Sequence, residues 1–169
     1  MTLDEVDKYK RVLLYPDPRN TYDAARFLVY SLLISNNARR DTLAQVRIGA
    51  KWIIAPGDKI RHLRPDADTS EGWVRAVLRG KKLGALLSEN PLIPEKGVKI
   101  EIRHARTGSQ KLYITRMEPP VVACLHRGVE CELGEDLFYE VRNWGVWRTT
   151  VILNIILDRI WSGLPPVRC

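Results

Sequence analysis

Apolar residues occur in short runs separated by turn-forming residues, and their spacing alternates between that of strands and that of helices. Val12, Leu13, Leu14 and Tyr15 predict a buried strand over 12–15, stopped by Pro16-Asp17-Pro18, where two prolines continue neither strand nor helix. Asn20 or Thr21 can then cap a helix with Asp23 in its first turn. Ala24, Phe27, Leu28 and Leu32 recur at helical spacing, so this helix is expected to run to about Asn37. Residues 43–48 and 51–54 are strand-like, and 60–63 is a further short strand candidate. A second helix starts at Thr69 or Ser70, carries Trp73, Val74, Val77 and Leu78, and ends at Gly80.

Beyond a proline-bearing connector over 90–94, residues 98–102 alternate apolar and charged side chains, as a strand buried on one face does. Residues 111–115 are expected to pair with it across Thr107-Gly108-Ser109. The run 121–125 is apolar throughout, the mark of a strand covered on both faces. A short helix over 133–141 and a final one over 149–161 complete the prediction. Strands alternating with helices over short connectors make this an α/β chain with a mainly parallel sheet flanked by helices. Its 169 residues suit a single domain, 1–169, without internal repeats.

Charge changes the picture by where it lies. The net charge is +7, but residues 1–38 carry five basic and five acidic side chains, residues 39–116 carry 17 and eight, and residues 117–169 carry five and seven. All the excess is in the middle, from Arg39-Arg40 through Lys59, Arg61, Arg64, Arg75, Arg79, Lys81 and Lys82 to Lys99, Arg103, Arg106 and Lys111. A positive face of this kind suits a polyanion, and equally serves as a solvated surface.

The three cysteines, Cys124, Cys131 and Cys169, form no Cys-x-x-Cys pair, so reduced thiols and no metal are expected. The N-terminal segment has neither the basic start nor the apolar run of a secretory signal, and no apolar stretch approaches the roughly 20 residues that span a bilayer, so a cytoplasmic protein without membrane attachment is expected. Phosphate-binding, dinucleotide-binding, nucleophile-elbow and zinc-peptidase motifs are absent. His62, His104 and His126 are scattered and define no acid–base dyad.

Three segments are more specific. They are Arg39-Arg40-Asp41 after the first helix; Trp52-Ile53-Ile54 with Gly57-Asp58-Lys59-Ile60-Arg61-His62-Leu63-Arg64-Pro65-Asp66, Thr69-Ser70 and Val74-Arg75-Ala76; and Asn154-Ile155-Ile156-Leu157-Asp158-Arg159. Together they resemble the archaeal tRNA pseudouridine N1-methyltransferases of the SPOUT superfamily, over about residues 10–161. The resemblance implies a SPOUT-like fold with a C-terminal trefoil knot, over about 117–161, that holds S-adenosylmethionine, and a homodimer formed through nearby helices. In such a protein the basic part over about 39–116 would be the substrate-facing part that meets structured RNA such as tRNA.

In such families the first knot loop follows a strand ending Leu-Gly-Asp and the second reads Leu-Gly-Pro. Here His126-Arg127-Gly128 and Trp144-Gly145-Val146-Trp147 stand in those places. The resemblance still makes Leu125, Gly128, Gly145, Val146 and Trp147 the cofactor-binding candidates, with glycine allowing close backbone approach and the apolar side chains walling the adenine. Methyl transfer to a ring nitrogen asks mainly for alignment and for a cation near the developing anion. Arg26 is the catalytic candidate for that cation, and otherwise an amphipathic helix residue with a solvated head. Asp66 either positions the base or makes a turn after Pro65. Arg39, Arg40, Arg61, His62 and Arg64 are assigned to RNA, mainly through phosphates, with His62 also able to stack on a base.

These residues therefore support an S-adenosylmethionine-dependent methyltransferase acting on a base of structured RNA. The altered loops support the alternative, a cofactor-less SPOUT-like RNA-binding or assembly protein. A domain whose basic face meets an acidic protein is the third reading.

Overall fold

The computed structural model describes residues 1–35, 37–105, 112, 114, 117–129, 131–142 and 144–164. In chain order the elements are α1 (Leu3–Val6), β1 (Arg11–Tyr15), α2 (Thr21–Leu32), β2 (Leu33–Ile34), β3 (Asn37–Ala38), β4 (Thr42–Ile48), β5 (Lys51–Pro56), α3 (Ala67–Leu78), β6 (Leu86–Ser88), β7 (Val98–Ala105), β8 (Val121–His126), β9 (Leu137–Arg142) and α4 (Gly145–Trp161). Seven strands form one sheet in the order β6-β5-β4-β1-β8-β7-β9. The five strands from β4 to β9 in that order are parallel to their neighbours, whereas β5 and β6 extend the β4 edge as antiparallel strands. The expected α/β architecture with a mainly parallel sheet is therefore present.

The pleat sorts side chains to two cores. Leu13, Tyr15, Val121, Ala123 and Leu125 face a cluster shared with α2, α3 and α4. Val12, Leu14, Val122 and Cys124 face a smaller one closed by Val6, Tyr9 and Leu133. Burial on both faces explains why β1 and β8 read as unbroken apolar runs. Helix α2 packs between α3 and α4.

Several expected boundaries and elements differ. Asn20 is the cap of α2, its side chain accepting the Asp23 N–H at 2.8 Å, but the helix ends at Leu32. There the chain reverses through the β2–β3 pair, and the Arg39 N–H bonds back to the Leu32 carbonyl at 2.6 Å. Residues 60–63 are not a strand, and His62 takes a left-handed φ of 62° in a turn. Asp66 starts α3 earlier than Thr69 would, and β6 has no counterpart in the prediction.

Residues 137–142 form strand β9 where a helix over 133–141 was expected. As an edge strand it exposes Leu137 and Phe138 and buries Val141, a pattern too short to separate strand from helix by spacing. Along its length β7 is flanked by β8 and β9, so no segment 111–115 pairs with it among the described residues. Leu112 and Ile114 are buried; the rest of that prediction lies outside those residues. The expected reduced state is corrected for two cysteines, since Cys124 and Cys131 form a disulfide, while Cys169 lies outside the described residues. No helix among the described residues is long and apolar enough to cross a membrane.

Candidate functional site

Connections leave neighbouring strands β1 and β8 in opposite directions, β1 leading to β4 on one side and β8 to β9 on the other. In open parallel sheets ligands bind in the crevice outside the carboxyl ends of strands at such a switch point. A cavity of about 830 Å³ occupies that place, walled by Tyr15, Asp23, His104, Arg127, Trp144, Gly145, Val146 and Trp147 among others. Its size falls within the roughly 300–1,000 Å³ of small-molecule sites.

Its wall is organised around Asp23. This carboxylate is 7% exposed and accepts the Tyr15 hydroxyl at 2.6 Å, the Arg19 N–H at 2.8 Å and the Trp147 indole Nε1–H at 2.7 Å. Burial first, and then the hydrogen bond and charge of Asp23, push the Tyr15 hydroxyl pKa far up, against a smaller opposite effect of Arg127, so Tyr15 stays protonated. Tyr22 and Tyr30 meet the Trp147 ring with centroids 5.8 and 6.2 Å away, giving an aromatic rim with both tyrosines partly exposed. His104 contributes a ring whose pKa is lowered by burial and by nearby His126, with Asp17 and the Val141 backbone opposing.

The loop after β8 is held by Asp17, which follows β1. Its carboxylate accepts the Arg127 N–H at 3.0 Å and the Gly128 N–H at 3.1 Å, while Arg127 Nε donates to the Asp17 carbonyl at 2.9 Å. Of the five residues expected at a cofactor, Gly145, Val146 and Trp147 line the cavity. Gly145 opens α4 with φ of 64°, a conformation that favours glycine. Gly128 is exposed beside Arg127, where an added Cβ would meet open space, and Leu125 is fully buried in the core below. The room and the apolar indole wall suit a nucleoside, while the charged lining is Asp23, already bonded to three donors, together with Arg19, Arg127 and Arg148. Sequence reasoning missed Tyr15, Asp17, Asp23 and His104. The position of Tyr15 and Asp17 at the end of the first strand was the available signal.

Arg26 is not a solvated helix residue: it is 9% exposed, its Nη2 donates to the Pro65 carbonyl at 2.6 Å, and its guanidinium lies 5.5 Å from the Tyr30 ring centroid. It thus stands between the cavity rim and the turn before α3. Asp66, in that turn, caps α3 by accepting the Thr69 N–H at 2.8 Å. The Thr69 hydrogen bonds hold its carboxyl below the usual range, so it remains ionised at neutral pH.

The RNA candidates divide. Arg61, His62 and Arg64 are exposed, and the Arg61 N–H to Leu83 carbonyl bond of 2.9 Å brings their loop against exposed Lys81 and Lys82. Arg40 is exposed at the opposite end of the sheet from the cavity. Arg39 instead donates to Asp158 at 2.6 Å, and Asp158 also accepts from Arg11, 2% exposed, at 2.7 Å. Arg11 further donates to Asn154 at 2.9 Å and to Asp41 at 3.2 Å. The segments 39–41 and 154–159 therefore meet in one ion network that fastens α4 to β1 and the turn before β4.

No family model and no curated protein matches this chain.

Proposed function

We propose that the protein is an S-adenosylmethionine-dependent methyltransferase of SPOUT type acting on a base of structured RNA such as tRNA. The observation that carries the reading is the cavity at the β1/β8 switch point, into whose wall the second-loop residues Gly145, Val146 and Trp147 converge. S-adenosylmethionine would supply the methyl group. Gly145, Val146 and Trp147 would hold it, with Asp23 fixing the indole and Asp17 fixing the loop of Arg127 and Gly128.

The RNA base would enter over the aromatic rim of Tyr22, Tyr30 and Trp147, since stacking on aromatic faces is the general means of holding an unpaired base. Arg26, in contact with the Tyr30 ring, would be the cation that favours the deprotonated base, and Asp66 would act only through the α3 turn. The basic loop of Arg61, His62 and Arg64, with Lys81 and Lys82 beside it, would follow the phosphates. A homodimer formed through α4 and the end of α2 would cover exposed Ile34 and Ile155. A cytoplasmic location accords with the substrate.

A second reading has its own support. The Arg127 and Gly128 N–H groups are both taken by Asp17, leaving fewer backbone donors for a cofactor, as a cofactor-less RNA-binding or assembly protein would allow. Incubation with tRNA and methyl-labelled S-adenosylmethionine separates the two: label in the RNA supports the enzyme, and salt-sensitive RNA binding without label supports the binding protein.

A further inference from the structure

On the face of the sheet away from α2, α3 and α4, parallel pairing sets Glu101 of β7 beside Cys124 of β8, and His126 follows Cys124 by two residues on the same face. Glu101 is hydrogen-bonded to His126 through Oε1 and Nε2. Both are buried, at 6% and 0% exposure, and the loop after β8 returns Cys131 onto them. One carboxylate oxygen, one imidazole nitrogen and the Cys131 sulfur all lie within 4.8 Å of one another, with Cys124 joined to Cys131. A groove of about 360 Å³ includes Cys124 and Cys131 in its wall and opens the pair to solutes.

Two sulfurs, an imidazole and a carboxylate are the donor set that tetrahedral zinc takes, and thiolates select thiophilic cations over magnesium or calcium. A disulfide withdraws both sulfurs as ligands. We propose that Cys124, Cys131, His126 and Glu101 form a redox-gated site for one thiophilic divalent cation, Zn²⁺, filled when the two cysteines are reduced and closed when they are bonded. The site is distinct from the cavity and stands whether or not that cavity binds a methyl donor.

The steps balance. Two reductant thiols break the Cys124–Cys131 bond and become a disulfide themselves, passing two electrons and two protons to the cysteines. Zn²⁺ then displaces both protons as it binds the thiolates, and it fixes the 127–136 loop to β7 and β8. An azodicarboxamide oxidant reverses this: it takes two electrons from the two thiolates and two protons from water to become the hydrazine, while the S–S bond reforms and Zn²⁺ is released.

The test uses the full chain, stripped of metal and reduced with a dithiol, titrated with Zn²⁺ against a chromogenic chelator and with Co²⁺ for its thiolate charge-transfer absorption. One equivalent should bind to the reduced protein, none to the azodicarboxamide-oxidised protein, and binding should return on re-reduction. Cys169→Ser should behave as wild type, Cys131→Ser should lose most of the thiolate band with its far-UV circular dichroism unchanged, and Glu101→Gln should weaken Zn²⁺ binding by about 10- to 100-fold. Equal Zn²⁺ binding by reduced and oxidised wild type, or loss of binding in Cys169→Ser, would overturn the proposal without bearing on methyl transfer.

Discussion

The Trp147 indole donates to the Asp23 carboxylate at 2.7 Å and so ties the first turn of α4 to the first turn of α2 across the cavity. Tyr15 and Arg19 use the same carboxylate, so one side chain satisfies three donors. Asp23→Ala leaves the buried Tyr15 hydroxyl without its acceptor and releases the part-buried Arg19 and Trp147 donors. The expected loss is about 1–3 kcal/mol, read from urea unfolding, the cost of one buried donor left unpaired. Trp147→Phe removes only one donor and should cost less stability while weakening ligand binding. Equal stability of Asp23→Ala and wild type would contradict this account of the wall.

The Arg11–Asp158–Arg39 network predicts acid sensitivity. Burial tends to raise the Asp158 pKa, but the hydrogen bonds and charges of Arg11 and Arg39 outweigh it and leave the carboxyl below its ordinary value. A depressed folded-state pKa contributes stability above the unfolded pKa of about 3.9, lost as pH falls through the folded value. Asp158→Asn should flatten the stability profile below about pH 4. At pH 7 it should cost about 1–3 kcal/mol, below the 3–5 of a fully buried pair because Asp158 is 42% exposed. Unchanged acid denaturation in the variant would rule out this role.

How far the sequence reached follows from which interactions are local. Val12 to Tyr15 and Val121 to Leu125 were legible because burial on both faces leaves an unbroken apolar run. The Asn20 cap was legible because a side chain three residues before its N–H partner makes it. β9 was not, because a short edge strand with Leu137 and Phe138 exposed lacks a distinguishing period. At the site, Gly145, Val146 and Trp147 came through the family resemblance, whereas Asp23 and His104 act through partners set by sheet order. Glu101 and Cys124 likewise meet only by parallel pairing, which spacing between cysteines cannot reveal.

Arg39 and Arg61, alike in sequence, should respond differently to mutation. Arg39 belongs to the ion network, so Arg39→Ala should lower stability, read from the melting temperature. Arg61→Ala and Arg64→Ala should leave melting nearly unchanged. Each phosphate contact removed should reduce the slope of log RNA affinity against log salt by about 0.7–0.9. A stable Arg39→Ala, or salt slopes indifferent to Arg61 and Arg64, would count against this division of the basic residues.

Calorimetric titration of the folded protein with S-adenosylmethionine tests the methyltransferase reading most directly. Saturable binding to one site per chain is expected, weakened in Trp147→Phe because the smaller ring takes away part of the cavity's aromatic wall and its tie to Asp23. No detectable heat at millimolar ligand, from protein with a cooperative unfolding transition, would contradict it and leave the cofactor-less RNA-binding reading in its place.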